Sequence, residues 1–392
     1  MKSLAASALL ATIAGCYYEV PGRPRPAHEA RRLEQARYEA ESADRDRIVR
    51  ELAEAERLAR EQAPAGAPSA EVAPPRPRPS TAPGEIADAS WLAVGQRQSC
   101  VAVAEGKVRC WGATSGDPSR LVGITRIAVG YPNGCAIDGA RKAWCWGVSM
   151  MGALGNGSID HQPTAVAVTG LEDAIAIAVG WASGCAVREG GTVVCWGANR
   201  KGELGDGKTE SHRAPITVQG VADAIDVTAG EAFYCALRRG GGVACWGDGT
   251  VGQLGRGAGG KEAEKPASAR GLAGVASIAA GRHHVCAARG DGRVLCWGLG
   301  GGNPARDVPT LVAEPDDVVE VAAGETTTCA RRRNGEVWCW GDHPVPLPGR
   351  QPTALARQPR PVPGVDDAVQ IGVGVGNVCA RRRGGAVTCF GR

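Results

Sequence analysis

The chain has 392 residues, with 45 Lys and Arg against 41 Asp and Glu, a net charge of +4. That is small for the length and, with no clustered basic face in view, argues against a nucleic-acid binder. The 57 Gly and 4% aromatic residues leave few large apolar side chains, and 15 Cys are available to compensate.

Met1-Lys2-Ser3, followed by the mostly apolar Leu4 to Gly15, reads as an export signal (residues 1–15), too short to span a bilayer. The run Ile13-Ala14-Gly15-Cys16 resembles the lipobox of bacterial lipoproteins. That resemblance implies cleavage before Cys16 and a lipid on it, holding the protein on a membrane of the cell envelope, at the outer membrane or cell surface. An ordinary secretory signal containing a cysteine is the plainer alternative. Either signal exports the chain to where disulfides persist.

Residues 16–84 read as a tether. His28 to Gln62 lacks Gly and Pro and is rich in Ala, Glu and Arg, a helical composition with i,i+4 pairs such as Asp46/Arg50 and Glu56/Arg60. Its thin apolar stripe slips phase after Ala43, which argues for a solvated spacer over a coiled coil and for a monomer. Pro64 to Pro83 reads as an extended linker.

From residue 85 to 392 the chain repeats. Fourteen cysteines form seven pairs, each with ten-residue spacing: Cys100 with Cys110, Cys135 with Cys145, Cys185 with Cys195, Cys235 with Cys245, Cys286 with Cys296, Cys329 with Cys339 and Cys379 with Cys389. The first cysteines stand 35, 50, 50, 51, 43 and 50 residues apart, a period that signals a repeat architecture. A Gly lies five positions before each first cysteine, and an aromatic-Gly follows each second one, Trp in six units and Phe390 in the last. Apolar runs between turn residues predict short antiparallel strands.

Six units carry Gly six positions after the first cysteine, from Gly106 to Gly385. This suits a three-residue hairpin loop ending in a left-handed residue. Counting outward sets the two cysteines face to face, at a spacing fit for a disulfide. In the remaining unit Arg141 holds that position, and its turn is expected to differ. Free buried thiols and zinc are the alternatives, but no Cys-x-x-Cys spacing supports zinc. Alternation along the strand predicts Trp on one inter-blade face and the disulfide on the other.

A solenoid and a closed ring both fit seven units. A Pro-led segment follows each unit except the last, and Ser80 to Ile86 before the first unit is a candidate replacement, so closure is expected. The units resemble repeats of the regulator of chromosome condensation family. The resemblance is carried by the pre-hairpin Gly, the Cys-Ala strand start, the Trp-Gly end, and the loops Gly152-Ala153-Leu154-Gly155, Gly202-Glu203-Leu204-Gly205 and Gly252-Gln253-Leu254-Gly255. It implies an all-β, seven-bladed propeller. The family's nucleotide exchange on a small nuclear GTPase does not suit an exported chain. Exported bacterial members that inhibit beta-lactamases by binding them suggest a protein partner.

No catalytic constellation, metal site or cofactor motif stands out. The adjacent His283 and His284 face opposite sides of a strand and read as ordinary polar residues. The position after each pre-hairpin Gly varies where its neighbours do not: Gln96, Tyr131, Trp181, Glu231, Arg282, Glu325 and Val375. The first six are the candidate partner-binding residues, of the types that anchor protein interfaces. The expected function is non-catalytic binding of a protein at one propeller face, by a chain held to a membrane through its lipid. The alternatives are an envelope glycan hydrolase or lyase, for which Glu231 and Glu325 could partly supply the acids, and a purely architectural protein.

Overall fold

The computed structural model describes residues 86–391 apart from 114, 131, 258–261, 302 and 342–357. The expected tether, its Cys16 and the candidate Tyr131 lie outside the described residues. Twenty-six described strands form seven antiparallel sheets in chain order, five of four strands and two, the first and last, of three. The sheets are the blades of a propeller.

Each blade begins with an inner strand: Trp91–Val94, Ile124–Val129, Ala174–Val179, Ala224–Ala229, Val275–Ala280, Val318–Ala323 and Ala368–Val373. Inner strands of neighbouring blades touch all round, including the first with the seventh. A hairpin bearing the cysteines follows, and blades 2 to 6 add an outer strand.

All seven pairs form disulfides, with Cα atoms 4.0–4.2 Å apart. The two units of irregular length are no exception: Cys100 bonds to Cys110, and Cys286 to Cys296. The cysteines stand directly opposite in register, in the close, non-hydrogen-bonded kind of pair. In the chain-entropy model an eleven-residue loop gives each bridge about 2–3 kcal/mol. Disulfides in this number mark an oxidising, exported setting.

The core lies between blades rather than within them. Cys185 and Cys195 of blade 3 pack with Trp246 of blade 4, and Cys135 and Cys145 of blade 2 pack with Trp196. Farther round, Cys286 and Cys296 of blade 5 meet Trp340 of blade 6, and Cys329 and Cys339 of blade 6 meet Phe390 of blade 7. The pattern recurs at Trp297 and Trp146. It closes where Cys379 and Cys389 of blade 7 meet Trp111 of blade 1. Disulfide and aromatic therefore occupy opposite faces of every blade, as alternation requires.

The three signature loops have a specific task. Trp196, Trp246 and Trp297 donate their indole N–H to the carbonyls of Ala153, Glu203 and Gln253, at 2.9–3.0 Å. Leu154, Leu204 and Leu254 are buried beside those rings. A side chain at Gly155, Gly205 or Gly255 would collide with the same indole. Trp146 and Trp340 follow blades without the loop, and their indole N–H groups have no hydrogen-bond partner among the described residues.

The ring closes on the described residues. Ala89 donates to the carbonyl of Gly385, the bond that Ala174, Ala224, Val275, Val318 and Ala368 make to the turn of the preceding blade. Val387 donates to Ile86. Ile86 is buried against blades 7 and 1, so the segment before the first unit does reach the last blade.

The expectation for Arg141 is corrected. Arg141 adopts φ +66°, its N–H donates to Asp138, and Asp138 donates to the Lys142 carbonyl, as in the glycine turns. Asp138 Oδ1 also accepts from Ala140 and Lys142, and Arg141 pairs with Glu189. A left-handed L-residue costs about 1–2 kcal/mol, which these contacts offset. The turn is therefore the same, reached without Gly.

Arg141→Gly should stabilise the fold by up to about 1 kcal/mol, because relief of the backbone exceeds the added chain entropy and an exposed ion pair contributes little. Thermal melting should rise by about 2 °C; a lower melting point would show that the turn depends on the arginine contacts. Trp196→Phe should cost about 1 kcal/mol more than Trp340→Phe, since only the first strands a carbonyl that had a donor. Paired denaturant titrations measure the difference.

Candidate functional site

The pre-hairpin glycines end the inner strands, so they meet in a ring at one mouth of the central channel. Most of them sit against the next blade's backbone, and Gly230 sits against the Phe233 ring. A Cβ on Gly130 would lie 2.7 Å from the Gly180 carbonyl, one on Gly95 2.8 Å from that of Val129, and Gly281, Gly324 and Gly374 are crowded in the same way. Only Gly lets seven strands converge this closely. At the ring opens a cavity lined by the glycines together with Gln96, Trp181, Glu231, Arg282 and Glu325. Five of the six candidate partner-binding residues are thus brought to one cavity. The disulfide cysteines, Cys296 and Cys339 among them, are buried between the blades and build the scaffold rather than the site.

Three of the five are wired together. Arg282 donates from Nε to Glu231 at 2.8 Å and from Nη1 to Glu325 at 2.7 Å, bridging blades 4, 5 and 6. His283 Nε2 lies 3.3 Å from the same Glu231 oxygen. The backbone repeats the linkage: Trp181 N–H donates to Glu231, Glu231 N–H to Arg282, and Arg282 N–H to Gly324. Both mouth carboxylates share one guanidinium.

Sequence reading missed the part His283 plays: its ring faces the mouth network while His284 turns inward. His284 is fully buried, with Nε2 2.8 Å from Thr328 of blade 6 and packing from Gly281 and Gly301. Burial pushes its imidazole down to about 4, from an ordinary 6.5.

A second missed set lies four residues before several of the mouth glycines, where polar residues or Trp interrupt the apolar run. Trp91 donates to the Ile127 carbonyl, and Ser277 accepts from Val321. Glu320 accepts from Ile371, and Gln370 clamps both the N–H and the carbonyl of Leu92. These bonds staple neighbouring inner strands. Glu320 also pairs with Arg331 at 2.6 Å, while burial raises the Glu320 carboxyl above its usual range. The hairpin arginines Arg331, Arg332 and Arg382 are all in ion pairs.

Models of the regulator of chromosome condensation (RCC1) repeat match residues 174–203, 224–253, 275–302 and 318–343, and in a second form 190–237 and 240–288. The chain is a propeller of regulator of chromosome condensation repeats. Among solved structures it resembles human WBSCR16, at 18% identity over 78% of this chain and 86% of that one, with a TM-score of 0.66. It also resembles yeast RCC1 (Prp20), solved with Kap60 bound, at 24% identity over 68% and 70% of the two chains and a TM-score of 0.59. The ectodomain of the Physcomitrella patens receptor kinase CR4 aligns at 22% identity over 76% and 72%, with a TM-score of 0.51. At these identities the likeness is one of fold. No curated protein matches the sequence.

The unfolded chain protonates at His284 as pH falls through about 6.5, whereas the folded chain resists until about 4. The stability that neutral His284 confers is therefore lost across that window as pH falls, by about 3 kcal/mol in all. His284→Gln, which keeps a polar group against Thr328, should remove most of that loss. Denaturant titrations at pH 7.5 and 4.5 give the comparison, and carboxylates common to both proteins cancel in the difference.

Proposed function

We propose that the protein is an exported, lipid-anchored envelope propeller that holds another protein at the mouth of its channel and carries out no chemistry on it. The supporting observation is the convergence of Gln96, Trp181, Glu231, Arg282 and Glu325 on one cavity, at the repeat position that directly follows the invariant mouth glycine. Trp and Arg at a ring centre are the residue types that dominate binding energies. The ion-pair chain orders three of the side chains in advance, which lowers the cost of ordering them on binding. Yeast RCC1 with Kap60 is a precedent for a protein partner on this fold. Seven disulfides accord with export, and Cys16 with the lipid anchor.

Trp181→Ala should weaken capture of the envelope partner about thirtyfold, the size of an interface hot spot, with melting unchanged. Crosslinking and pull-down from envelope extract, compared with wild type, measure the effect. Cys16→Ala should abolish palmitate labelling yet leave capture by the solubilised protein intact. Equal capture by Trp181→Ala and Glu325→Gln would remove the mouth from consideration. Glycan cleavage by the purified protein would reverse the non-catalytic reading.

A further inference from the structure

Among the described residues, blade 1 has no partner for its last strand. In blades 2 to 6 the chain turns back after the Cys-Trp-Gly strand and pairs with it. After Val108–Gly112 it does not. Asp117 instead donates to Pro163 and bridges Thr164 in the outer strand of blade 2. The edge stays open: Arg109 and Gly112 are exposed and Cys110 and Trp111 half-buried, whereas the second cysteines of blades 2 to 6 are at most 2% exposed. The close pairing of Cys100 with Cys110 turns the Cys110 N–H and C=O away from its hairpin partner, out toward the empty position.

We infer that this edge is a docking strand for another protein, which adds an extended, proline-led segment to blade 1 as its fourth strand. The filled blades show what fits. Opposite the second cysteine stand Val166, Ile216, Ala267 and Thr310 in blades 2 to 5. In blades 3 to 6 the residue just before that position is Pro: Pro215, Pro266, Pro309 and Pro359. There the missing N–H points to solvent and costs no ladder bond. Blade 1 differs at one facing position. Arg109 stands where blades 2 to 6 have Trp144, Val194, Ala244, Leu295 and Trp338. The residue two after the proline would face it on the same side of the sheet, so charge complementarity specifies an acidic group there. The partner segment reads Pro, then a small or β-branched residue, then Asp or Glu. A second copy of this chain has no free outer strand to lend among its described residues. Ile86, the first described residue, accepts from Val387 of blade 7.

The test uses the full-length protein and two synthetic peptides, Ac-Ser-Thr-Ala-Pro-Ile-Glu-Val-Gln-NH2 and the same sequence with Lys for Glu, in fluorescence anisotropy and amide exchange. Saturable binding is expected, with the Glu peptide about fivefold tighter, and Arg109→Glu should reverse the order. The Cys110 amide should exchange at least tenfold faster than that of Cys245 in the free protein and slow when peptide binds. Three results would overturn the inference: no saturable binding, equal affinity for the two peptides, or a Cys110 amide already protected in the free protein. Protection that disappears on dilution would identify a second copy as the occupant, and protection independent of concentration the chain's own N-terminal segment. Loss of partner capture in Trp181→Ala with peptide binding unchanged would separate this edge from the channel mouth.

Discussion

The contact between each blade's disulfide and the next blade's aromatic ring supports everything else in the propeller. A blade of short strands has little core of its own. In a Gly-rich chain the backbone entropy lost on folding is high. A tryptophan removes about 150–250 Å² from water when buried, and here the ring is covered by a neighbour already cross-linked into one shape. The disulfide narrows the unfolded ensemble and also supplies the flat, dry surface against which the indole packs. Because Cys379 and Cys389 meet Trp111 in the same way, no blade is left with a bare face and the ring needs no cap.

Much of this was legible in the sequence because two periodicities coincide. Strand alternation puts adjacent Cys and Trp on opposite faces, and the fixed ten-residue spacing sets the register. What the sequence concealed falls into two kinds. Some residues do a job usually given to another type: Arg141 takes the left-handed place of Gly because Asp138 bonds the turn from inside. Others act across blades at positions where no residue type repeats, such as Ser277, Glu320 and Gln370, each reaching the next strand with a different group. A polar residue four before the mouth glycine was the available signal, though its partners are backbone groups that no side-chain pattern records.

Unit length shows a subtler limit. The first spacing is 35 residues and the fifth 43, against about 50 elsewhere. In blade 5 the loop is indeed lost and the outer strand kept, as Asn303–Val312. In blade 1 the strand itself is lost. The two outcomes follow from where the chain can go after Trp-Gly: Gly300 pairs directly with Asn303, whereas Asp117 finds a ladder position on blade 2 first. Counting residues does not distinguish these, since both leave the inter-blade cysteine and aromatic in place.

The division between what repeats and what varies has a physical basis that bears on recognition. Positions inside the disulfide–aromatic interfaces are bound by packing, where a volume change of even one methylene is felt. Most of the mouth glycines are held by backbone crowding, and Gly230 by the Phe233 ring, so a side chain there finds no room. The residues just after five of the glycines, Gln96, Trp181, Glu231, Arg282 and Glu325, line the cavity and lie outside the disulfide–aromatic interfaces, so their chemistry is free to change without loss of the fold. In blades 4 to 6 that freedom has been used to build an ion-pair chain through Arg282. Its carboxylates outnumber its one guanidinium, and the side chains are ordered before anything binds. A surface ordered in this way, seated on a ring too crowded to flex, selects partners by shape and charge rather than by adapting to them.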